Sequence, residues 1–284
     1  MAEILDGKAV ATAIQESVRV EVSALARENG LRPRLAVVLI GADPASKVYV
    51  SRKRLAAQGI GIETEDHVYP AGLDEQQTLS LVPRLNDDDK IDGILVQLPL
   101  PKGVDETGVL DAIHPAKDVD GFHGENLGRL MIGRPVVVPC TPAGCLAILD
   151  HYGIPIAGKT AVVVGRSRIV GKPVAQLLLS RDATVVMAHS WTHDLPALCT
   201  RADILVVAAG RAGLIDGSHV KPGATVIDVG INRLADGRLV GDVDYEAAAR
   251  VAGALTPVPG GVGPTSVAML MPNKLRADRA GPHQ

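Results

Sequence analysis

Along most of this chain, strand-length runs of Val, Ile, Leu and Ala alternate with stretches of helical periodicity, and that rhythm limits the possible folds more than any other feature. The runs are 35–40 (LAVVLI), 91–98 (IDGILVQL), 160–164 (TAVVV), 184–187 (TVVM), 204–208 (ILVVA) and 224–229 (ATVIDV). Such continuous apolar runs are characteristic of strands buried on both faces, as in a parallel sheet covered by helices. Helical candidates at 47–58, 75–85, 143–152, 170–180 and 245–251 fall between them, so the fold class is α/β with mostly parallel sheets. The rhythm fails once, in 113–142, where HPAKDVDGFHGENLGRLMIGRPVVVPCTP is dense in Gly, Pro, Asn and Asp. With 284 residues the chain has room for about two domains, and this break is the natural junction. The expected division is 1–139 for the first domain and 140–264 for the second. The last helical segment, after the turn PVPGGVGP, packs back so that 265–284 joins the first.

Composition narrows the partners. Aromatic residues are 2% of the chain, too few for base-stacking platforms, and the net charge of -3 leaves no broad basic surface for a nucleic-acid backbone. Small molecules are the expected partners. Cys140, Cys145 and Cys199 are odd in number and form no C-x-x-C pair, which argues against a disulfide framework or a structural zinc site and for a reducing compartment. The N-terminal MAEILDGKAVATAIQESVRVEV lacks a basic flank before an unbroken apolar run, and no stretch reaches the roughly 18 apolar residues of a membrane span. A cytoplasmic location is expected, with no bound metal: His189 and His193 are spaced i, i+4, but SWT between them supplies no Glu and the segment is a strand end.

In the second domain, KTAVVVGRSRIVGKPVAQLLLS (159–180) reads strand, glycine turn, helix. Gly165 ends the strand, and a missing Cβ at Gly171 would let the helix lie close to the sheet or to a phosphate. The spacing lacks the middle glycine of G-x-G-x-x-G, so the motif alone is weak. A second strand, a helix and a third strand follow, completing a mononucleotide-binding half. The second strand ends His189-Ser190-Trp191, with no acid before Asp194 to bind ribose hydroxyls. Ser190 can donate to a 2'-phosphate, and Arg166 or Arg168 can pair with it, so NADP is favoured over NAD.

In the first domain, Tyr49 and Lys53 stand four apart in a helical stretch and share one face. A lysine can donate and accept a proton if its surroundings lower its pKa. Gln97, an amide in a Val/Ile/Leu run, needs a partner if buried, and it sits before Pro99 at the carboxyl end of a strand, where open α/β sheets bind ligands. Of Asp118 and Asp120 in KDVDGF, Asp118 reads as a turn residue and Asp120 as the better ligand candidate.

Together YVSRKRLAAQGI, GILVQLPLP, KDVDGF, PCTPAG, GRSRIVGKP and PGGVGP, in that order over nearly the whole chain, closely resemble the bifunctional methylenetetrahydrofolate dehydrogenase/cyclohydrolase family. The resemblance implies two α/β domains with a folate cleft between them, and a homodimer joined through the NADP domains. It implies NADP-dependent oxidation of 5,10-methylenetetrahydrofolate to the 5,10-methenyl cation, then hydrolysis to 10-formyltetrahydrofolate. A dehydrogenase with weak cyclohydrolase activity is the nearest alternative. By motif, Lys53 resembles the acid/base lysine, with Tyr49 beside it and Gln97 tuning it by hydrogen bonding. Asp120 resembles the pterin-binding aspartate, and Pro99, Gly260 and Gly261 border the substrate. Gly165, Arg166, Ser167 and Arg168 match the NADP phosphate turn, Ser190 a 2'-phosphate contact and Ile231 a backbone contact near the nicotinamide.

The chain departs from the family pattern at three places. Thr265 and Ser266 follow PGGVGP where Met-Thr is usual, which alters an expected apolar wall. Trp191, Thr192 and His193 follow where a basic residue is usual, and Glu125 adds a carboxylate near the junction.

Overall fold

The structure, a computed structural model, describes residues 2–280 except 31, 42 and 74. In chain order the elements are β1 (Glu3–Ile4), α1 (Gly7–Asn29), β2 (Arg34–Ile40), α2 (Pro44–Gly59), β3 (Glu63–Tyr69), α3 (Glu75–Asn86), β4 (Gly93–Val96), α4 (Glu106–Ala112) and α5 (Gly124–Met131). There follow α6 (Cys140–His151), β5 (Thr160–Val164), α7 (Gly171–Leu179), β6 (Thr184–Ala188), α8 (Leu195–Cys199), β7 (Ile204–Val207) and a short 3-10 turn (Gly217–His219). The last elements are β8 (Thr225–Asp228), β9 (Asn232–Arg233), β10 (Leu239–Val240), α9 (Tyr245–Ala249), β11 (Ala254–Leu255) and α10 (Val262–Ala280).

Among the described residues the chain falls into two compact units. One comprises the residues up to Thr12 with Pro139–Met269, the other Ala13–Val138 with the residues from Leu270 on. The first twelve residues thus differ from the expected division. Glu3 and Ile4 pair in parallel with Ala254 and Leu255, adding β1 to the sheet of the second domain, and no pattern in so short a strand could have shown it.

The unit containing α2 is built on a parallel three-stranded sheet in the order β3-β2-β4. From Leu35 onward β2 is buried at every position, as is β4 throughout, because helices pack over the central strand. Ala36, Val38, Ile40, Ile94 and Val96 join Val82, Leu85, Val109 and Leu110 in one core. β3 (ETEDHVY) carries no apolar run. It is one edge of the sheet, held by its parallel ladder to β2 from Arg34↔Glu63 to Ile40↔Tyr69, with ion pairs of Arg34 with Glu63 and of Arg54 with Asp66 at the surface.

The other unit carries a parallel six-stranded sheet, β1-β11-β8-β7-β5-β6, with a small antiparallel pair, β9-β10. β7 and β8 are buried at every position and β5 at every position after Thr160, so these apolar runs are inner strands. The run at 184–187, expected to be buried on both faces, lies instead in the edge strand β6 and is only partly buried. The chain order reverses between β5 and β7, the arrangement that opens a crevice at the carboxyl ends of the strands.

Candidate active site

The lysine-bearing helix α2 begins where Asp43 caps it, its carboxylate accepting from the Ser46 amide at 2.7 Å, with Pro44 at the first turn. One turn on come Tyr49 and then Lys53, both half-buried. The Lys53 ammonium lies 3.5 Å from Asp120 Oδ1, with only 14% and 9% of the two side chains exposed. At this burial a paired charge is shielded from bulk water, unlike a surface pair. Burial pushes the Tyr49 hydroxyl up despite the opposing charge of Arg52, so it is a neutral donor at physiological pH.

Asp120 owes its position to Asp118. An isolated bridge joins Asp118 to Ile94, and its carboxylate accepts from the amides of Gly121 (3.0 Å) and His123 (2.9 Å) and from Asn126 Nδ2 (2.9 Å). Burial pushes the Asp118 carboxyl up, while the Asn126 and His123 donors hold it down. Asp118 is therefore the turn-former and Asp120 the side chain left to face a partner.

Gln97 directly follows β4, its amide donating to Val38 O at 2.9 Å. Its Nε2 donates to Leu98 O at 2.7 Å, and its Oε1 is buried without a hydrogen bond. The Lys53–Gln97 bond implied by the family pattern is thus not made here. An orphaned buried acceptor is costly unless a ligand donor meets it, which fits a substrate with an amine or ring N–H. Pro99 is exposed close by.

In the other unit the glycine turn is built by backbone approach. Gly165 has φ 128°, and a Cβ there would run into the Ala208 carbonyl. A Cβ at Gly171 would run into the carbonyl of Gly165, so the start of α7 rests directly on the turn. Ser167 Oγ accepts from the amides of Val170 and Gly171, both at 3.2 Å, and Lys172 N donates to Ser167 O at 3.1 Å. With Pro173 lacking an N–H, the first turn of α7 is satisfied internally. On the turn itself the Ser167 hydroxyl keeps its proton to donate and the Arg166 side chain is exposed. Arg168 is half-buried.

Ser190 is exposed just past β6, and Trp191 beside it is 79% exposed. That turn is pinned by His189 N donating to Thr192 Oγ1 (2.8 Å) and Trp191 N donating to His189 Nδ1 (3.2 Å). Ile231 projects from the loop after β8, exposed. Gly260 and Gly261 form the turn before α10, with Gly261 N donating to Pro257 O at 2.8 Å. Thr265 is fully buried, its hydroxyl bonded to Val262 O at 2.8 Å. The departure at 265 is therefore a change of interior packing, where an altered wall was expected. Glu125 pairs with Arg129 on the exposed face of α5. The backbone cradle and the basic side chains fit a phosphorylated dinucleotide.

The sequence reading passes over two buried carboxylates in this unit, Asp228 and Asp242. The available signal was an acid closing the apolar run TVID, since a buried charge there must be satisfied by its surroundings.

Residues 5–120 match the sequence model of the tetrahydrofolate dehydrogenase/cyclohydrolase catalytic domain, and 139–280 that of the NAD(P)-binding domain of the same family. The bifunctional protein FolD of Acetivibrio thermocellus is 54% identical over 276 residues, covering 97% of this chain and 96% of that one. That of Moorella thermoacetica is 55% identical over 278 residues, covering 98% and 99%. Among solved structures, the bifunctional FolD dehydrogenase/cyclohydrolase of Campylobacter jejuni superimposes with a TM-score of 0.95 at 42% identity, over 99% of both chains. The Trypanosoma brucei enzyme, solved with NADP cofactor and an inhibitor, has a TM-score of 0.95 at 40% identity, over 100% of this chain and 99% of that one. With both of its domains present in order, the chain belongs to the tetrahydrofolate dehydrogenase/cyclohydrolase family, whose members of this kind are NADP-dependent oxidoreductases and hydrolases of one-carbon folates.

Proposed function

We propose that the chain oxidises 5,10-methylenetetrahydrofolate to the 5,10-methenyl cation with NADP and hydrolyses that cation to 10-formyltetrahydrofolate, with Lys53 as the acid/base group of the second step. The observation that carries the lysine assignment is the shielded Lys53–Asp120 pair at 3.5 Å, since a proton-transfer group must be both held in place and kept from bulk water.

Folate chemistry is assigned to the unit containing α2. Asp120 and the orphaned Gln97 Oε1 hold the N–H donors of the pterin. Tyr49 offers a neutral hydroxyl, and Pro99 borders the substrate. In hydrolysis, water adds to the methenyl carbon and its bond to N5 opens. One proton of the added water leaves to solvent; the Lys53 ammonium then gives a proton to N5 as the carbon–N5 bond breaks, and the lysine amine so formed takes the remaining hydroxyl proton as the formyl C=O forms.

The dinucleotide is assigned to Gly165, Arg166, Ser167, Arg168, Ser190 and Ile231; NADP supplies the hydride acceptor when bound. Arg166 and Ser190 favour the 2'-phosphate through charge and hydrogen bonding. A homodimer joined through the dinucleotide units, and a cytoplasmic location, complete the reading. All three cysteines are buried and none is in a disulfide, in keeping with a reducing compartment. Among the described residues no helix is long and apolar enough to cross a membrane.

The test is Lys53→Met, followed by methenyl absorbance as NADP is added to enzyme and methylene-folate. Methenyl product accumulates and decays at least about 100-fold more slowly than with the unaltered enzyme, while its formation falls far less. Equal loss of both steps in a folded variant overturns the lysine assignment. Accumulation with the unaltered protein would identify a dehydrogenase with weak cyclohydrolase activity.

A further inference from the structure

Three segments meet beside the carboxyl ends of β7 and β8: 209–211 after β7, 229–232 running from β8 into β9, and 241–243 after β10 of the small antiparallel pair. Two buried carboxylates tie them together. Asp228, which closes β8 and is 3% exposed, accepts from Gly230 N (2.9 Å), Asp242 N (3.0 Å) and Val243 N (3.0 Å). Asp242, fully buried, accepts from Ala209 N (2.7 Å), Gly210 N (2.8 Å), Arg211 N (2.8 Å) and Asn232 Nδ2 (2.8 Å). Three successive backbone amides converging on one carboxylate form an anion nest built from within the chain. The fit is close: a Cβ at Gly230 would run into the Asp242 carboxylate, and one at Gly241 into that of Asp228.

The segment 230–232 is gripped at both ends, Gly230 by Asp228 and Asn232 by Asp242, and between them Ile231 projects into solvent. We propose that Asp228 and Asp242 are positioning residues for hydride transfer, setting where the backbone of Ile231 stands at the carboxyl edge of the sheet. The inference rests on the assignment of Ile231 to the nicotinamide. Hydride transfer depends steeply on alignment, so a loop displaced by a fraction of an ångström slows chemistry more than it weakens binding. Burial pushes the Asp228 carboxyl up to about 6, with Asp242 adding to the rise and the three amides opposing it. Asp228 therefore costs stability when ionised, as expected of a group kept for geometry.

The mildest probe is Asn232→Ala, which frees the far end of the segment and leaves every backbone bond to both carboxylates intact; Asp242→Asn is the stronger one. In the full-length protein without ligands, amide hydrogen exchange at 229–232 accelerates about tenfold in Asn232→Ala. Dehydrogenase kcat falls about tenfold, and the primary isotope effect with methylene-deuterated substrate rises. The NADP dissociation constant by calorimetry changes less than about threefold, and hydrolysis of methenyl-folate supplied directly is unchanged. Unaltered kcat and isotope effect beside faster exchange would overturn the positioning role. So would a parallel loss of both activities, which is what general destabilisation produces. Failure of the unaltered protein to bind NADP would instead remove the dinucleotide reading itself.

Discussion

The two groups of candidate functional residues, one in each unit, are made of different material. Around Lys53 the functional atoms are side chains: an ammonium, a carboxylate 3.5 Å away and an amide oxygen left without a donor. Around Gly165 they are mostly backbone, brought together because Gly165 and Gly171 leave no Cβ in the way. Proton transfer needs a titratable group whose surroundings are controlled, which only side chains on rigid elements provide. Holding a phosphorylated cofactor needs close approach of the main chain, with few charges placed outside it.

The sharpest way to break this contrast is Gly165→Ala. A side chain at φ 128° is strained by itself, about 1–3 kcal/mol, and its Cβ also meets the Ala208 carbonyl. The NADP-linked rate is expected to fall at least about 100-fold, with NADP binding lost in step. Hydrolysis of methenyl-folate given directly stays within a few-fold, because the groups around Lys53 are untouched. If a folded Gly165→Ala protein loses both activities alike, the two sets of residues do not work separately.

A second contrast is in how charge is tolerated. Asp228 is buried and raised to about 6 from 3.8. A carboxyl whose folded pKa exceeds its unfolded value stabilises most when protonated, so its contribution is complete below the unfolded pKa and lost as pH rises through about 6. The difference is worth at most about 3 kcal/mol. Asp228→Asn has no such dependence, so the unaltered protein's lead in Tm over the variant should shrink from about pH 4.5 to about pH 7.5. A lead that stays constant or grows across that window would show that the carboxylate is not penalised by burial.

On the folate side, Asp120→Asn removes the charge facing Lys53 and the strongest acceptor there. A hydrogen bond to a charged group is worth about 1.5–3 kcal/mol. The KM for methylene-folate should therefore rise roughly 10- to 100-fold while the KM for NADP stays put. Steady-state kinetics with each substrate varied in turn check it, and an equal rise in both constants would count against a folate-specific role.

How much of this could be read beforehand differs between the same two regions. The inner strands β2, β5, β7 and β8 stand out because burial on both faces leaves a continuous apolar run, and the glycine turn stands out because β5 precedes it and α7 follows. The edge strand β3 does not: its side chains face partly to water, so it carries no apolar run, and its place is set by a backbone ladder with β2 that no periodicity reveals. The Lys53–Asp120 pair likewise depends on a turn that Asp118 folds far along the chain, so the motifs suggested both residues without showing that they meet. Asp228 and Asp242 escaped because an acid inside the apolar run 224–229, or one directly after a glycine, is unremarkable until its amide partners are seen.

The smallest expected effect bears on how far the dinucleotide half departs from pure backbone recognition. Arg166 is exposed on the glycine turn, where solvent screens its charge, so its hold on a 2'-phosphate should lie near the low end of a charge-assisted bond. Arg166→Ala should raise the KM for NADP about tenfold and leave that for NAD within about twofold, narrowing the preference between them. Ser190 and the backbone cradle supply what discrimination remains. Equal losses with NAD and NADP would mean that Arg166 supports the turn or the shared pyrophosphate. No change with either would leave the whole preference to the serine and the main chain, and the two groups of residues would then differ more completely than proposed.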